Sequence, residues 1–249
     1  MFTSKIQLIN NFGVDEDIAA FFVDRKVPRE NSYWEKRLLY VANGTGYLFI
    51  PLFFDIKLKM GVDKNTLLSE EYVQLSELIL DSAARYEKNQ YDFNTHIQRC
   101  KELVDSKTVQ KKLFAELVHF FNQPTLLPYK YLGTTNRALN RGDSFLFLLC
   151  VLDVPETTLQ EIIKGWYALT PSFLLMDDVM DLHEDKQRGE ENSINEFGEG
   201  ADAVKKAIEY LKNNFSTLKT INQKLGDFFE QSLEKKLRSA YLRDLLEQQ

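Results

Sequence analysis

The sequence has little of what several classes of protein require. Its 249 residues include only two cysteines, Cys100 and Cys150, and these do not form a CxxC pair. This spacing argues against a disulfide framework and against a zinc site, and it fits a reducing compartment. The three histidines are scattered along the chain, so no Ser-His-Asp arrangement can be argued from them.

An excess of positive charge is also missing, since 31 Lys and Arg residues face 37 Asp and Glu residues. The formal net charge is -6, so the chain lacks the basic field that attracts a nucleic acid. We therefore expect no nucleic-acid partner. Any anionic substrate has to be held by a few local basic groups rather than by the charge of the whole molecule.

Long apolar runs are missing as well. The longest, YLFIPLFFDI, is too short to cross a bilayer and contains Pro51. The first residues, MFTSKIQLIN, lack the basic and apolar regions of a secretory signal. The sequence thus predicts a cytoplasmic protein without a transmembrane segment.

What the chain does have is helical periodicity. Apolar residues recur at steps of three and four in LLSEEYVQLSELILDSAARYEKN, in VQKKLFAELVHFFN and in ADAVKKAIEYLKNNFSTLKTI. Only six prolines and eleven glycines interrupt this pattern, and no strand alternation is visible. The sequence predicts a single all-α domain over residues 1–249, made of long helices with short connections.

The stretch LLMDDVMDLHEDKQRGEEN places four aspartates on one of these helices. At 100° per residue, Asp177, Asp178, Asp181 and Asp185 share about a quarter of the helix circumference. Like charges one turn apart destabilise a helix, and they do so here towards its negative C-terminal end. We therefore expect a cation to balance them, although an acidic, solvated helix end is the alternative.

The same arc, followed towards the start of the helix, becomes apolar or weakly polar. It carries Thr170, Phe173 and Leu174, which suit the tail of a molecule whose charged head lies at the aspartates. Oxygen ligands without His or Cys indicate Mg²⁺ rather than zinc. Mg²⁺ held by carboxylates keeps open positions for the phosphates of a substrate.

The segment FLLMDDVMD resembles the aspartate-rich motif of the trans-isoprenyl diphosphate synthases (polyprenyl synthetases) and, more broadly, of the class I terpenoid synthases. The resemblance implies an isoprenoid-synthase-like bundle of long antiparallel helices around a central cavity. Two DDxxD motifs on facing helices of that bundle hold a Mg²⁺ cluster. Asp177, Asp178 and Asp181 fill one motif as catalytic metal ligands, and Asp185 matches the acidic residue that often follows the second motif.

The match departs from the family pattern in several places. Phe173 fits the aromatic residue of the second motif, but Leu174 stands where a glutamine is expected. The position of the motif in the chain favours the second motif, whereas the residues that follow it resemble those after a first motif. No other DDxxD occurs, so the metal-binding partner across the cavity is expected to be Asp55, with Asp81 as the second choice.

Basic and apolar residues complete the predicted substrate site. Arg137 and Arg141, four residues apart, are placed on one helical face, and Lys186 and Arg188 directly follow the aspartates. These four would neutralise diphosphate oxygens, which guanidinium groups bind in a bidentate way. Solvated basic residues are the alternative. Thr170, Phe173 and Leu174 would border the isoprenoid chain.

The resemblance implies a Mg²⁺-dependent prenyltransferase that acts on allylic and isopentenyl diphosphates. A terpene cyclase, which uses the same ionisation step without a second substrate, is one alternative. A non-catalytic relative that binds prenyl diphosphates, or that serves as a partner of an active synthase subunit, is another. Homodimers are usual in the family.

Overall fold

The computed structural model describes residues 4–26, 31, 49–140, 142–189 and 192–247, without the side chains of His183 and Lys186. The predicted all-α class is confirmed, because these ranges contain helices and turns but no strand. The β-type hydrogen bonding in these ranges is an isolated bridge between Tyr129 and Leu132. Within the same ranges, no helix combines the length and the apolar character that spanning a membrane requires.

The helices of the described ranges follow one another along the whole chain. The α-helices are α1 (Lys5–Phe12), α2 (Glu16–Asp24), α3 (Phe49–Lys59), α4 (Lys64–Leu67), α5 (Glu70–Glu87), α6 (Phe93–Asp105), α7 (Lys111–Phe121), α8 (Glu156–Arg188), α9 (Gly200–Ile221), α10 (Gln223–Leu237) and α11 (Ala240–Glu247). Three further segments are 3₁₀ helices, at Arg137–Asn140, Asp143–Val151 and Ser193–Phe197.

Short polar side chains start many of these helices. In α1, Ser4 and Gln7 form a reciprocal capping box, in which each side chain binds the backbone N–H of the other. Ser69 accepts a hydrogen bond from the backbone at the start of α5, and Asp92 does the same for α6. These caps satisfy N–H groups that have no partner inside the helix.

The helix α8, which carries the aspartates, is the longest of these. Its 33 residues correspond to a rise of about 50 Å. Pro171 lies inside it and cannot donate a backbone hydrogen bond, while the adjacent Ser172 hydroxyl donates to the carbonyl of Ala168 at 2.6 Å. The helix ends at Gly189, which adopts a left-handed conformation with φ of 67°.

Close packing ties the first half of α8 to the rest of the core. A Cβ atom added at Gly165 would lie 2.9 Å from Ile56 Cγ2 in α3 and 3.3 Å from Ile221 Cδ1 at the end of α9. Glycine at this position therefore lets three helices approach one another closely. The hydrophobic cluster of buried side chains includes members of every helix from α1 to α11.

One connection is longer than the sequence predicts, and one predicted feature lies partly outside the described residues. Residues 122–136 form an extended connection without a helix, so the expectation of short connections is wrong there. Arg137 begins a 3₁₀ helix of only four residues, and Arg141 lies outside the described residues. The helical face predicted to carry both arginines therefore reaches beyond the described residues and stays a prediction. The antiparallel arrangement around a central cavity stays a prediction.

Candidate metal centre

The four aspartates lie on the last turns of α8, within one continuous helix. Their surroundings divide them into two pairs. Asp177 and Asp181 are largely exposed to solvent, although α10 covers part of Asp177, whereas Asp178 and Asp185 are half-buried.

The half-buried pair holds the segment that follows α8. Ser193 donates two hydrogen bonds to Asp178 Oδ2, one from its backbone nitrogen at 2.8 Å and one from its hydroxyl. The Asn192 amide donates to Asp185 Oδ2 at 2.7 Å and to the backbone carbonyl of Asp178 at 2.8 Å. Both carboxylates thus fix the start of the 3₁₀ helix Ser193–Phe197.

The exposed pair is different. Neither carboxylate forms a hydrogen bond or an ion pair with any of the residues that the structure describes, and the two lie one helical turn apart. Partial burial raises the pKa of Asp177, the charge of Asp181 raises it further, and Lys236 opposes this rise. Asp177 and Asp181 are therefore the two carboxylates left available for a cation.

Lys236 is the basic residue near this pair, and it was not singled out from the sequence. It lies half-buried in the last turn of α10. The run EKKLR in which it lies looks like an ordinary solvated basic stretch. Only the packing of α10 near α8 brings the Lys236 charge close enough to influence Asp177.

The predicted apolar wall lies on the same side of α8, next to α10. The ring of Phe173 meets that of Phe229 edge to face, with centroids 5.0 Å apart. Leu174 is half-buried against the core. The Thr170 hydroxyl oxygen is buried and has no hydrogen-bond partner among the described residues. The wall is thus largely apolar, and its one buried hydroxyl needs a partner.

Asp55, the predicted metal partner, lies elsewhere. It is fully buried in α3 and accepts hydrogen bonds from the Asp15 backbone and the Asn222 amide, each at 2.9 Å. Lys59 forms an ion pair with it at 3.1 Å. The neighbouring Ile56 packs at Gly165, twelve residues and about 18 Å of helix rise before Asp177. The structure therefore does not bring Asp55 to Asp177.

The second choice, Asp81, is also engaged, because it accepts a hydrogen bond from Arg85 at 2.8 Å. Across the described part of the chain, no group of three or more His, Cys, Asp or Glu side chains is arranged to hold a metal ion. Any cation bound at Asp177 and Asp181 would therefore have to take most of its ligands from water or from a substrate.

The predicted phosphate-binding residues are spread over two regions. The backbone N–H of Arg137 donates to Glu196 at 2.7 Å, and its exposed guanidinium lies 3.8 Å from the same carboxylate. Arg188 is exposed and pairs with Glu184 at 3.3 Å. Lys186 lies in the last turns of α8, and Arg141 is outside the described residues. The arginine side chains described here are thus directed to glutamates.

Comparisons of the chain with protein-family models, with curated proteins and with solved structures found no match.

Proposed function

We propose that this chain binds a prenyl diphosphate through Mg²⁺ at Asp177 and Asp181, as the allylic substrate of a prenyl transfer to isopentenyl diphosphate. One observation carries the proposal. Two exposed carboxylates, one turn apart and without an ion pair among the described residues, repel each other beside a single half-buried lysine. A divalent cation would relieve that repulsion, and Lys236 would face the diphosphate that the cation binds.

Each part of the site has a chemical role in this proposal. Mg²⁺ would act as a Lewis acid that neutralises charge on the departing diphosphate. Lys236 would donate hydrogen bonds to phosphate oxygens. Phe173, Leu174 and the Thr170 hydroxyl would border the isoprenoid chain. Asp178 and Asp185 would support the site indirectly, because they fix the segment at Asn192 and Ser193.

A second candidate is a non-catalytic binder of prenyl diphosphates, or the partner subunit of an active synthase. The position of Asp55 favours it. A cluster of metal ions that ionises a diphosphate needs carboxylates from two sides, and Asp55 is committed to Asp15, Lys59 and Asn222. With a carboxylate pair on one side only, the site would bind the diphosphate without ionising it.

Binding is tested by thermal unfolding with Mg²⁺ and dimethylallyl diphosphate. A ligand at a hundred times its Kd adds about 2.7 kcal/mol, so the melting temperature of the wild type should rise by roughly 5–10 °C. The D177N/D181N double variant should lose this rise. Its own melting temperature should be unchanged or slightly higher, because the substitution removes a like-charge pair.

The matched control is D202N, which removes an exposed carboxylate from the start of α9. It should keep the full effect of Mg²⁺ and diphosphate. If the wild type shows no stabilisation at millimolar Mg²⁺, the proposed function is wrong. If the stabilisation survives in D177N/D181N, the ligand binds at another site.

Turnover separates the candidates. With Mg²⁺, dimethylallyl diphosphate and isopentenyl diphosphate, a synthase releases pyrophosphate and forms a longer prenyl diphosphate. Pyrophosphate released from a longer allylic diphosphate, such as geranyl diphosphate, without an elongated product indicates a cyclase. Stabilisation without any release of pyrophosphate indicates the non-catalytic binder.

A further inference from the structure

A second site lies on the first half of α8, away from the aspartates. A cavity of about 530 Å³ opens between α8, α9 and residues 131–135, and the residues that line it include Tyr131, Tyr167 and Tyr210. This volume is within the range of pockets that bind small molecules. Tyr167 precedes Asp177 by ten residues, or about 15 Å of helix rise, so the two sites are separate.

Hydrogen bonds to their hydroxyl groups fix the positions of two of the three tyrosines. The Tyr131 hydroxyl donates to the buried carboxylate of Glu116. The Tyr167 hydroxyl donates to the buried Asp143 at 2.8 Å and accepts a hydrogen bond from the backbone N–H of Gly133 at 2.6 Å. The aromatic wall of the cavity is therefore preformed, and these hydroxyls already have partners.

Asn214, which also lines the cavity, has an unused donor. Its Nδ2 atom is buried and has no hydrogen-bond partner among the described residues. Burial raises the pKa of the neighbouring Tyr210 phenol, and the nearby Asn214 side chain partly opposes this rise. Most buried polar groups in folded proteins are paired, so this amide requires an acceptor that a ligand would supply.

The cation of the cavity is Lys164, on the exposed edge of α8. Its ammonium lies 3.7 Å from Glu161 Oε2, which is longer than a good hydrogen bond, and both side chains are mostly exposed. This weak pair leaves the ammonium available to a second anion. The Lys164 ammonium and the Asn214 amide thus supply two hydrogen-bond donors to the cavity.

Several acidic groups lie near this cavity, among them Glu116 behind Tyr131, which pairs with Lys130. Glu161 is at its exposed edge, and Asp143 is behind Tyr167. Burial raises the pKa of Asp143 to about 7, so near neutral pH its carboxylate opposes an anion less than an ordinary aspartate would.

We propose that this cavity binds a small organic oxyanion with an apolar body. The oxygens accept hydrogen bonds from Asn214 Nδ2 and from Lys164, and the body packs against the three tyrosine rings. The shared chemistry is that of a carboxylate or a phosphate ester on an aromatic or aliphatic group. No metal ion takes part.

The test uses benzoate and phenyl phosphate as probes, with benzyl alcohol as a neutral analogue, in the presence of EDTA. Ligand-observed NMR gives the Kd of each probe for the full chain. At least one oxyanion should bind at millimolar concentration or below, and benzyl alcohol at least tenfold more weakly. The two oxyanion probes show which source of charge the site prefers.

Two variants locate the binding. N214L and K164Q should each raise the Kd of the bound oxyanion about tenfold, because each removes a hydrogen bond to a charged group. N213L, which changes the exposed neighbour of Asn214 on α9, should leave the Kd within about twofold. The exposed position of Lys164 makes K164Q informative even if N214L fails to fold.

Stability distinguishes a binding role from a structural one. An amide without a partner contributes nothing to folding, so N214L should melt at the same or a higher temperature than the wild type while it loses the ligand. Three results would overturn the proposal. These are failure of both oxyanions to bind, equal binding of benzyl alcohol, and an unchanged Kd in both N214L and K164Q.

Discussion

Replacing Asp143 with asparagine should change how the stability of this protein depends on pH. Asp143 is 1 % exposed at the start of the 3₁₀ helix Asp143–Val151. Its carboxylate accepts hydrogen bonds from Trp166 Nε1 at 2.9 Å and from the Tyr167 hydroxyl at 2.8 Å. No cation forms an ion pair with it within the described ranges, so burial is the dominant influence on its charge.

The size of this pH-dependent change in stability follows from the pKa of Asp143. Burial raises the pKa of Asp143 from 3.8 to about 7, although the hydrogen bonds from Trp166 and Tyr167 lower it. Because the folded protein holds this proton more tightly than the unfolded chain does, stability is fully present below the unfolded pKa and is lost as pH rises through the folded pKa. A difference of this size corresponds to a loss of about 4 kcal/mol in the free energy of unfolding.

Asparagine carries no charge, so D143N should not show this loss. Its Oδ1 can still accept the hydrogen bond from Trp166. The free energy of unfolding of D143N, relative to the wild type, should therefore rise by several kcal/mol between about pH 4 and about pH 8. Groups that titrate in both proteins cancel in this difference.

The assay is urea unfolding of both proteins at several pH values between these limits, analysed by linear extrapolation. D153N, which removes a carboxylate from an exposed position between the long 3₁₀ helix and α8, controls for the loss of one surface charge. A difference between D143N and the wild type that stays constant across this range would refute the reasoning. A difference that falls with pH would mean that Asp143 is stabilised as the anion.

Two further predictions concern buried contacts. Lys57 is fully buried, and this burial holds its pKa well below the usual value. Its amine lies 3.0 Å from the Tyr72 hydroxyl. K57M should raise the free energy of unfolding at neutral pH, measured by urea unfolding, by about 1 kcal/mol or more, because it removes a buried polar group. A lower value would show that its polar contacts outweigh its burial. Gly133 has a φ of 78°, and an added Cβ would lie 2.7 Å from the Phe120 ring. G133A should therefore lower the free energy of unfolding by at least about 2 kcal/mol, which is measured as a lower melting temperature. Gly61 has a φ of 92°, and an added Cβ there would have nothing within 4 Å. G61A should therefore lower the free energy of unfolding only through backbone strain. An equal loss of stability in G133A and G61A would contradict the clash with Phe120.

Helical periodicity predicted the class of the fold and the placement of the aspartates on one helix. Both depend on contacts between residues three or four positions apart, which a sequence displays directly. The same reasoning was wrong about the length of the connection at residues 122–136. The break at NQPTLLP is visible in the sequence, but the spacing of apolar residues does not show how far the irregular connection extends. That connection packs through side chains from other parts of the chain, as when Asn136 donates to the Ser193 carbonyl.

The sequence by itself determined that Asp177, Asp178, Asp181 and Asp185 share a helix and repel one another. Only the tertiary structure decided which of them stay available. Asp178 and Asp185 accept hydrogen bonds from Ser193 and Asn192, and the positive charge that opposes Asp177 is Lys236 on α10. Hydrogen-bond partners and counter-charges depend on proximity in space, which the sequence does not display.

The same holds for Asp55 and for the cavity at Asn214. Asp55 resembles Asp177 in sequence, since each follows an apolar run, yet its amide partner is Asn222, 167 residues away. The unpartnered amide of Asn214 is visible only once α8, α9 and residues 131–135 enclose it. A short-range pattern reports which face of a helix a residue occupies, whereas burial and pairing depend on which distant segments pack on that face.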